Sequence, residues 1–162
     1  HEAELDSVYT DYYRKIMGHK VFHIGPSTFV VPTADKLERS NKSAVSHQEC
    51  LSWLDSKKPD SVLYVCFGSG CRFPDAQLME IACGLEAAGS NFIWVVLGKD
   101  NGDDNDEEEE KWLPKGFKQR IIETGRGMII KGWAPQLLIL HHPSTGGFLT
   151  HCGWNSVIEG VS

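Results

Sequence analysis

Short, almost entirely apolar runs that alternate with helical patterns restrict the fold of this chain more than any other feature. The run Ser61–Phe67 (SVLYVCF) has apolar side chains at nearly every position, and Phe92–Leu97 has the same character. Strands of this kind are typical of a parallel sheet that is covered by helices on both faces. Strands that alternate with helices predict right-handed crossovers. The expected fold class is α/β, a Rossmann-like parallel sheet with flanking helices.

The helix and strand boundaries also leave sequence signals. Ser46 and Glu49 form a capping-box pattern at the start of a helix, and a second helical pattern opens at Pro74-Asp75 and ends at Gly89. The remaining predicted elements are a short helix at Phe117–Ile122, a strand at Gly127–Gly132, a helix from Pro135 and a strand at Gly147–Thr150.

The turn after the fourth strand carries the residue types of an anion site. His151–Gly153 leads into a helical pattern, and the start of a helix presents backbone N–H groups that have no acceptor within the helix. His151, Asn155 and Ser156 add side-chain donors, and Glu159 shares the helix face of Asn155 and Ser156. A carboxylate cannot hold a phosphate, but it accepts hydrogen bonds from a sugar diol. Phosphate donors beside a diol acceptor predict a nucleotide site.

The stretch Trp133–Ser162 resembles the signature box of plant secondary-product glycosyltransferases, the family 1 UDP-sugar-dependent enzymes with the GT-B fold. The residues that carry the resemblance are Trp133-Ala134-Pro135-Gln136, Ile139-Leu140, His142, Gly146, Phe148, Thr150–Ser156 and Glu159. The resemblance implies an incomplete C-terminal half of a GT-B fold. The intact enzyme would transfer a sugar, with glucose expected, from UDP to a hydroxyl of a small lipophilic acceptor such as a flavonoid or terpenoid, with inversion. The family's box is longer than the matched stretch, so we expect the chain to stop before the residues that hold the sugar.

The resemblance also implies a role for individual residues. Trp133 would stack on the uracil, Gln136 would read its edge, and Glu159 would hold the ribose hydroxyls. The diphosphate would lie against His151, the start of the following helix and the turn that contains Ser69. The complete predicted set for the UDP-sugar is Ser69, Trp133, Ala134, Gln136, His151, Gly153, Trp154, Asn155, Ser156 and Glu159.

No catalytic residue is expected in this chain. In the resembled family the base is a histidine near the start of the N-terminal domain, oriented by an aspartate. His151 is a tempting alternative, but a base must reach the acceptor hydroxyl, and His151 is predicted at the diphosphate end. No metal or other cofactor is expected, since fixed donors would stabilise the departing UDP.

Other site classes fit the sequence less well. Gly68-Ser69-Gly70 after a strand resembles a dinucleotide fingerprint, but Phe73 stands where its third glycine would fall. A nucleotide-binding module without transfer chemistry, either dinucleotide-binding or a UDP sensor, therefore stays open, as does a truncated product that folds poorly. A zinc site at His141, His142, His151 and Cys152 has no standard spacing, and the acidic run Asn101–Glu110 lacks the spaced ligands of a calcium loop.

Composition bears on partners and location. The net charge is −6, and no apolar run approaches the length of a membrane span, so nucleic acid and an integral membrane contact are not expected. The five cysteines form no Cys-x-x-Cys pair, which favours reduced thiols and a cytoplasmic location. A monomer is expected.

The domain organisation follows from a loss of pattern near the start of the chain. A helical pattern runs from Leu5 to Met17 and ends at Gly18, and Lys20–Ile24 suggests a short strand. We assign residues 1–26 to the end of an N-terminal acceptor domain and residues 27–45 to an interdomain linker. Residues 46–162 form the predicted UDP-sugar-binding domain, truncated at its C-terminus.

Overall fold

The structure, a computed structural model, describes residues 7–22, 45–97 and 111–161. The chain divides into two compact units, one that runs to Pro32 and one over Thr33–Val161. The domain boundaries drawn from the sequence stay predictions. The predicted linker, apart from Val45, and the acidic run Asn101–Glu110 lie outside the described residues.

The described part of the first unit is a helix with a change of pitch. Helix α1 covers Ser7–Asp11 and continues as a π-helical turn over Tyr12–Ile16, and Gly18 follows in the left-handed region. The helix confirms the sequence pattern over the described residues, where most of its apolar side chains are exposed. The predicted strand is wrong over residues 20–22, where the Val21 carbonyl accepts a hydrogen bond from the Arg14 guanidinium at 2.9 Å. Residues 23 and 24 lie outside the described residues.

The second unit has the predicted alternation of helices and strands. Its described elements are α2 (His47–Asp55), β1 (Val62–Cys66), α3 (Asp75–Ala88), β2 (Asn91–Val96), α4 (Phe117–Thr124), β3 (Gly127–Lys131), α5 (Gln136–Leu140), β4 (Thr145–Thr150) and α6 (Trp154–Val161). The predicted helix boundaries are confirmed where a cap marks them. The Ser46 hydroxyl accepts from the Glu49 N–H at 3.1 Å, and Gly89 ends α3 in the left-handed region with φ 71°.

Both faces of the sheet are covered, which explains why the strand sequences are almost uniformly apolar. Side chains alternate along β2, so that Phe92, Trp94 and Val96 pack with α3 and α4, while Ile93 and Val95 pack with α2 and α5. All five are buried. The α/β fold with a parallel sheet and flanking helices is therefore confirmed.

The order of the strands determines where a ligand can enter. The described sheet is parallel throughout, with the order β3-β2-β1-β4. The chain therefore moves outward from β1 to β3 and then returns to the other side of β1 to form β4. In open α/β sheets, ligands bind at the carboxyl ends of the strands where the order reverses. Here that position lies between the ends of β1 and β4.

Candidate functional site

A cavity of about 890 Å³ opens at the carboxyl ends of the strands. Its walls include the loop after β1, the segment from the end of β3 into α5, and the segment from the end of β4 through α6. All ten residues predicted for the UDP-sugar line it: Ser69, Trp133, Ala134, Gln136, His151, Gly153, Trp154, Asn155, Ser156 and Glu159. The fold thus brings three separated segments of the sequence to one place, while the roles assigned to the ten residues stay predictions.

The imidazole of His151 lies between two glycines. A Cβ added at Gly153 would be 2.5 Å from its Nε2 atom, and one added at Gly68 would be 2.7 Å from the same atom. Gly68 also has φ +73°, a backbone conformation that favours glycine. The two glycines therefore leave the space that the ring occupies. The His151 side chain is exposed at the cavity, and its Nδ1 atom lies 3.4 Å from the Thr150 hydroxyl.

The turn after β4 directs the start of α6 toward the cavity. Cys152 has φ 57°, which is unusual for a residue with a side chain, and the chain turns away from the direction of β4 at this residue. The Val157 N–H donates to the Gly153 carbonyl at 3.0 Å. The N–H groups at the preceding positions of α6 have no such acceptor within the helix, as expected at a helix start. These N–H groups, with His151 and Asn155 on the cavity wall, form a donor set suited to phosphate oxygens.

The segment after β3 presents an indole. Gly132 adopts φ 103°, and its N–H donates to the Val96 carbonyl at 2.8 Å, so the chain turns out of the sheet at this residue. Trp133 follows with 51% of its surface exposed and lines the cavity. Ala134, in contrast, is buried in the core beneath it. The exposed indole is available as a stacking surface for a planar ligand.

A hydrogen-bonded chain of three side chains forms part of the cavity lining. The Tyr64 hydroxyl donates to Gln136 Oε1 at 3.3 Å, and Gln136 Nε2 donates to Glu159 Oε2 at 2.7 Å. Burial, with Cys66 nearby, raises the pKa of Tyr64 well above its usual range. The sequence interpretation missed Tyr64. A tyrosine in an otherwise aliphatic buried strand is the signal that could have found it, because its hydroxyl needs a partner.

A hydrogen-bonded group near the cavity has the residue types of a catalytic triad but no accessible nucleophile. Its members are Asp55, His142 and Ser144. His142 Nε2 lies 3.2 Å from Asp55 Oδ1, and His142 Nδ1 lies 2.8 Å from the Ser144 hydroxyl. Ser144 is only 2% exposed, and its backbone N–H also donates to His142 Nδ1. This histidine therefore ties α2 to the turn before β4.

The described residues contain no group of three or more His, Cys, Asp or Glu side chains that could hold a metal ion. In the same part of the chain, no helix has the length and apolar character needed to cross a membrane. The cysteines are free, and those in the core are Cys50 and Cys66.

Comparison with known proteins gives consistent matches. The family model described as UDP-glucoronosyl and UDP-glucosyl transferase matches residues 40–162. UDP-glucosyl transferase 73CC6 of Saponaria officinalis is 60% identical over 98% of this chain and 33% of its own length. UDP-glucose flavonoid 3-O-glucosyltransferase 7 of Fragaria ananassa is 52% identical over 98% of this chain and 32% of its own. The chain spans about a third of the length of the curated relatives it matches.

Solved structures of plant UDP-dependent glycosyltransferases are also similar to this chain. Glycyrrhiza uralensis UGT73P12, complexed with glycyrrhetinic acid 3-O-monoglucuronide, aligns with a TM-score of 0.72 and 44% identity over 98% of this chain and 31% of its own. Medicago truncatula UGT71G1, complexed with UDP-glucose, aligns with a TM-score of 0.66 and 34% identity over 98% of this chain and 32% of its own.

Proposed function

Because the chain belongs to the family of UDP-glucoronosyl and UDP-glucosyl transferases, we propose that its cavity binds a UDP-sugar and supplies the donor side of a glycosyl transfer. The sugar is glucose, and the acceptor is a hydroxyl of a small lipophilic molecule such as a flavonoid or terpenoid. The observation that carries the proposal is the convergence of an exposed indole, a carboxylate and a helix start on one cavity. The relatives named for flavonoid glucosylation and the neighbour complexed with UDP-glucose support the substrate classes.

Each part of UDP has a matching surface in this proposal. The uracil stacks on Trp133, whose indole is half exposed. The ribose hydroxyls donate to Glu159, beside the amide of Gln136. The diphosphate accepts hydrogen bonds from His151 and from the N–H groups at the start of α6. Ser69, in the loop after β1, contributes a hydroxyl that lines the same cavity.

The same donors would act during the reaction. The acceptor oxygen attacks the anomeric carbon as the bond from that carbon to the UDP oxygen breaks, so the configuration inverts. Negative charge grows on the β-phosphate of the departing UDP. Donors held in place before the reaction stabilise that charge without reorganisation, and we propose that no metal is required.

The base that takes the acceptor proton is not assigned to His151. Its ring lies against Gly68 and Gly153, at the phosphate end of the proposed nucleotide position. A base must reach the acceptor hydroxyl on the far side of the sugar. We propose that the base is supplied by another part of the enzyme.

The proposed setting is the cytoplasm, where the chain acts as a monomer. Free cysteines, two of them in the core, are consistent with a reducing compartment. A net charge of −6 disfavours nucleic acid as a partner.

Calorimetric titration of the chain with UDP and, separately, with NAD tests the proposal. We expect UDP to bind and NAD to bind much more weakly. Glu159→Ala removes hydrogen bonds to a charged group, and a loss of about 1.5–3 kcal/mol corresponds to roughly 10- to 150-fold weaker UDP binding. Glu123→Ala is the matched control, because this carboxylate lies on the exposed face of α4 and accepts from Gln119. Tighter binding of NAD, or equal UDP affinity in Glu159→Ala and the unaltered chain, would refute the assignment.

A further inference from the structure

We infer that Tyr64 is a positioning residue for nucleotide recognition, whose hydroxyl holds the Gln136 amide and, through it, the Glu159 carboxylate in the orientation that binds a ribose diol. The inference deepens the proposed function and rests on it.

Tyr64 is rigidly held. It lies in the middle of β1 with no exposed surface, and its ring stacks on Phe148 of β4 with centroids 5.0 Å apart and an interplanar angle of 19°. The two strands place these residues opposite each other in the parallel register. A side chain packed in this way presents its hydroxyl at one fixed position on the cavity wall.

The direction of the hydrogen bonds selects one orientation of the amide. An ionised carboxylate only accepts, so Gln136 must turn its NH₂ group toward Glu159, at 2.7 Å. Its Oε1 atom then faces the Tyr64 hydroxyl, which donates at 3.3 Å. A rotated amide would place two acceptors against each other and would leave the phenol without an acceptor. Because burial raises the pKa of Tyr64 well above its usual range, the phenol keeps its proton and stays a donor.

The chain of bonds leaves a defined pattern for a ligand. One N–H of the Gln136 amide and the remaining acceptor positions of Glu159 are not used within the chain of three, and both residues line the cavity. Adjacent hydroxyls can use such a pattern fully, since each hydroxyl both accepts and donates. The affinity for a 2′,3′-diol therefore depends on the orientation of both side chains, whereas the affinity for a ribose without these hydroxyls does not.

The test is the affinity of Tyr64→Phe for UDP and for 2′,3′-dideoxy-UDP, measured by calorimetry on the full chain. Phenylalanine keeps the stacking on Phe148 and removes only the hydroxyl. A neutral hydrogen bond implies roughly 3- to 10-fold weaker UDP binding, and we expect no change for the dideoxy nucleotide. Ser61→Ala is the matched control, because it removes the 2.6 Å bond to the Lys58 carbonyl just before β1, and it should leave both affinities unchanged.

A second background separates positioning from packing. In Gln136→Met the amide is absent, so adding Tyr64→Phe should weaken UDP binding no further. The NH₂ signals of Gln136 in nuclear magnetic resonance spectra of the unaltered chain give a measurement that does not depend on the variant's stability. One amide proton shifted downfield and protected from exchange with water is expected, and the shifts and fast water exchange of a free glutamine amide would overturn the inference.

The outcomes also distinguish the two proposals. Failure of the unaltered chain to bind UDP removes the proposed function and this inference with it. Normal UDP binding with equal affinity in Tyr64→Phe refutes the positioning role alone. The same holds if the phenylalanine variant loses affinity for the dideoxy nucleotide as strongly as for UDP.

Discussion

Two glycines leave the room for the His151 imidazole, so a methyl group at either one should displace that ring. A Cβ at Gly153 would lie 2.5 Å from Nε2 and 2.8 Å from Cε1, closer than carbon side chains approach in proteins. The backbone on either side cannot retreat easily, because it joins a strand to its following turn or helix. The His151 side chain is exposed and can swing into the open cavity. We therefore expect Gly153→Ala and Gly68→Ala to act on UDP through His151.

The expected effect on binding follows from the bond that is lost. The proposed hydrogen bond from His151 to a charged phosphate would contribute about 1.5–3 kcal/mol, and a factor of ten in affinity corresponds to about 1.4 kcal/mol. Displacement of the ring should thus weaken UDP binding roughly 10- to 150-fold in both alanine variants. Isothermal titration calorimetry of the chain with UDP measures this directly.

The expected effects on stability differ between the two sites. Gly68 has φ +73°, where an alanine costs about 1–2 kcal/mol. In a protein of this size that cost lowers the melting temperature by about 2–8 °C. Gly153 is not among the glycines with positive φ, so Gly153→Ala carries no such cost and should melt near the unaltered chain.

Gly89 provides the control for backbone strain alone. It has φ +71°, and the nearest atom to an added Cβ is Arg126 Nη1 at 3.6 Å, an ordinary contact. Gly89→Ala should lose as much stability as Gly68→Ala and keep full UDP affinity. Thermal melts followed by circular dichroism give the stability comparison.

Either of two results would show that the glycines do not act by leaving room for the His151 ring. One is a Gly153→Ala variant that binds UDP as tightly as the unaltered chain. The other would be measured in a His151→Ala background. That variant lacks the imidazole, so adding Gly153→Ala should leave its UDP affinity unchanged. A further loss of affinity there would show that Gly153 acts through something other than His151.

Three further predictions concern stability and reactivity away from the cavity. Ser46→Ala removes the hydroxyl that accepts the backbone N–H three residues on, and should cost about 1 kcal/mol, seen as a melting temperature about 2–4 °C lower. The Arg120 guanidinium, which donates to both oxygens of Glu86, lowers the pKa of that carboxyl. Because the folded pKa lies below the unfolded one, the stabilisation is present at neutral pH and is lost as the pH falls through the folded value. The small melting difference from Glu86→Gln should therefore close as the pH is lowered below the ordinary pKa of a glutamate. Burial raises the pKa of Cys50 to about 11, so iodoacetamide at about pH 8 should label exposed Cys83 well before Cys50, as read by mass spectrometry.

The fold was predictable because the sequence of each central strand shows which of its faces are buried. Uniformly apolar runs such as the one around Trp94 require cover on both faces, and Gly89 marks the end of α3. The position of β4 beside β1 was not predictable in the same way. Periodicity reports which side chains are buried, but it does not report which strand is the neighbour of which. The π-helical turn after α1 likewise has no signal in the spacing of apolar residues.

The ten residues predicted for the UDP-sugar line one cavity, and most of them could be selected together because they stand in one continuous stretch of the sequence. Tyr64 was not found, since a tyrosine in a buried strand looks like any other core residue. Its relation to Gln136 depends on the register of β1 and on the placement of α5, which only the folded chain shows. The contact of Gly68 and Gly153 with the His151 ring depends on the same tertiary arrangement.

The pairing of β4 with β1 joins the most distant parts of the sequence that meet in the described sheet, with Val62 opposite Thr145. Closing the loop between such remote segments costs more conformational entropy than closing a short loop, and folding is slower when native contacts join remote segments. One wall of the cavity is the loop after β1 and another is the turn after β4, so the cavity forms only while those two strands are paired. A nucleotide that contacts both walls would therefore stabilise the fold. Part of its binding free energy would hold β4 beside β1.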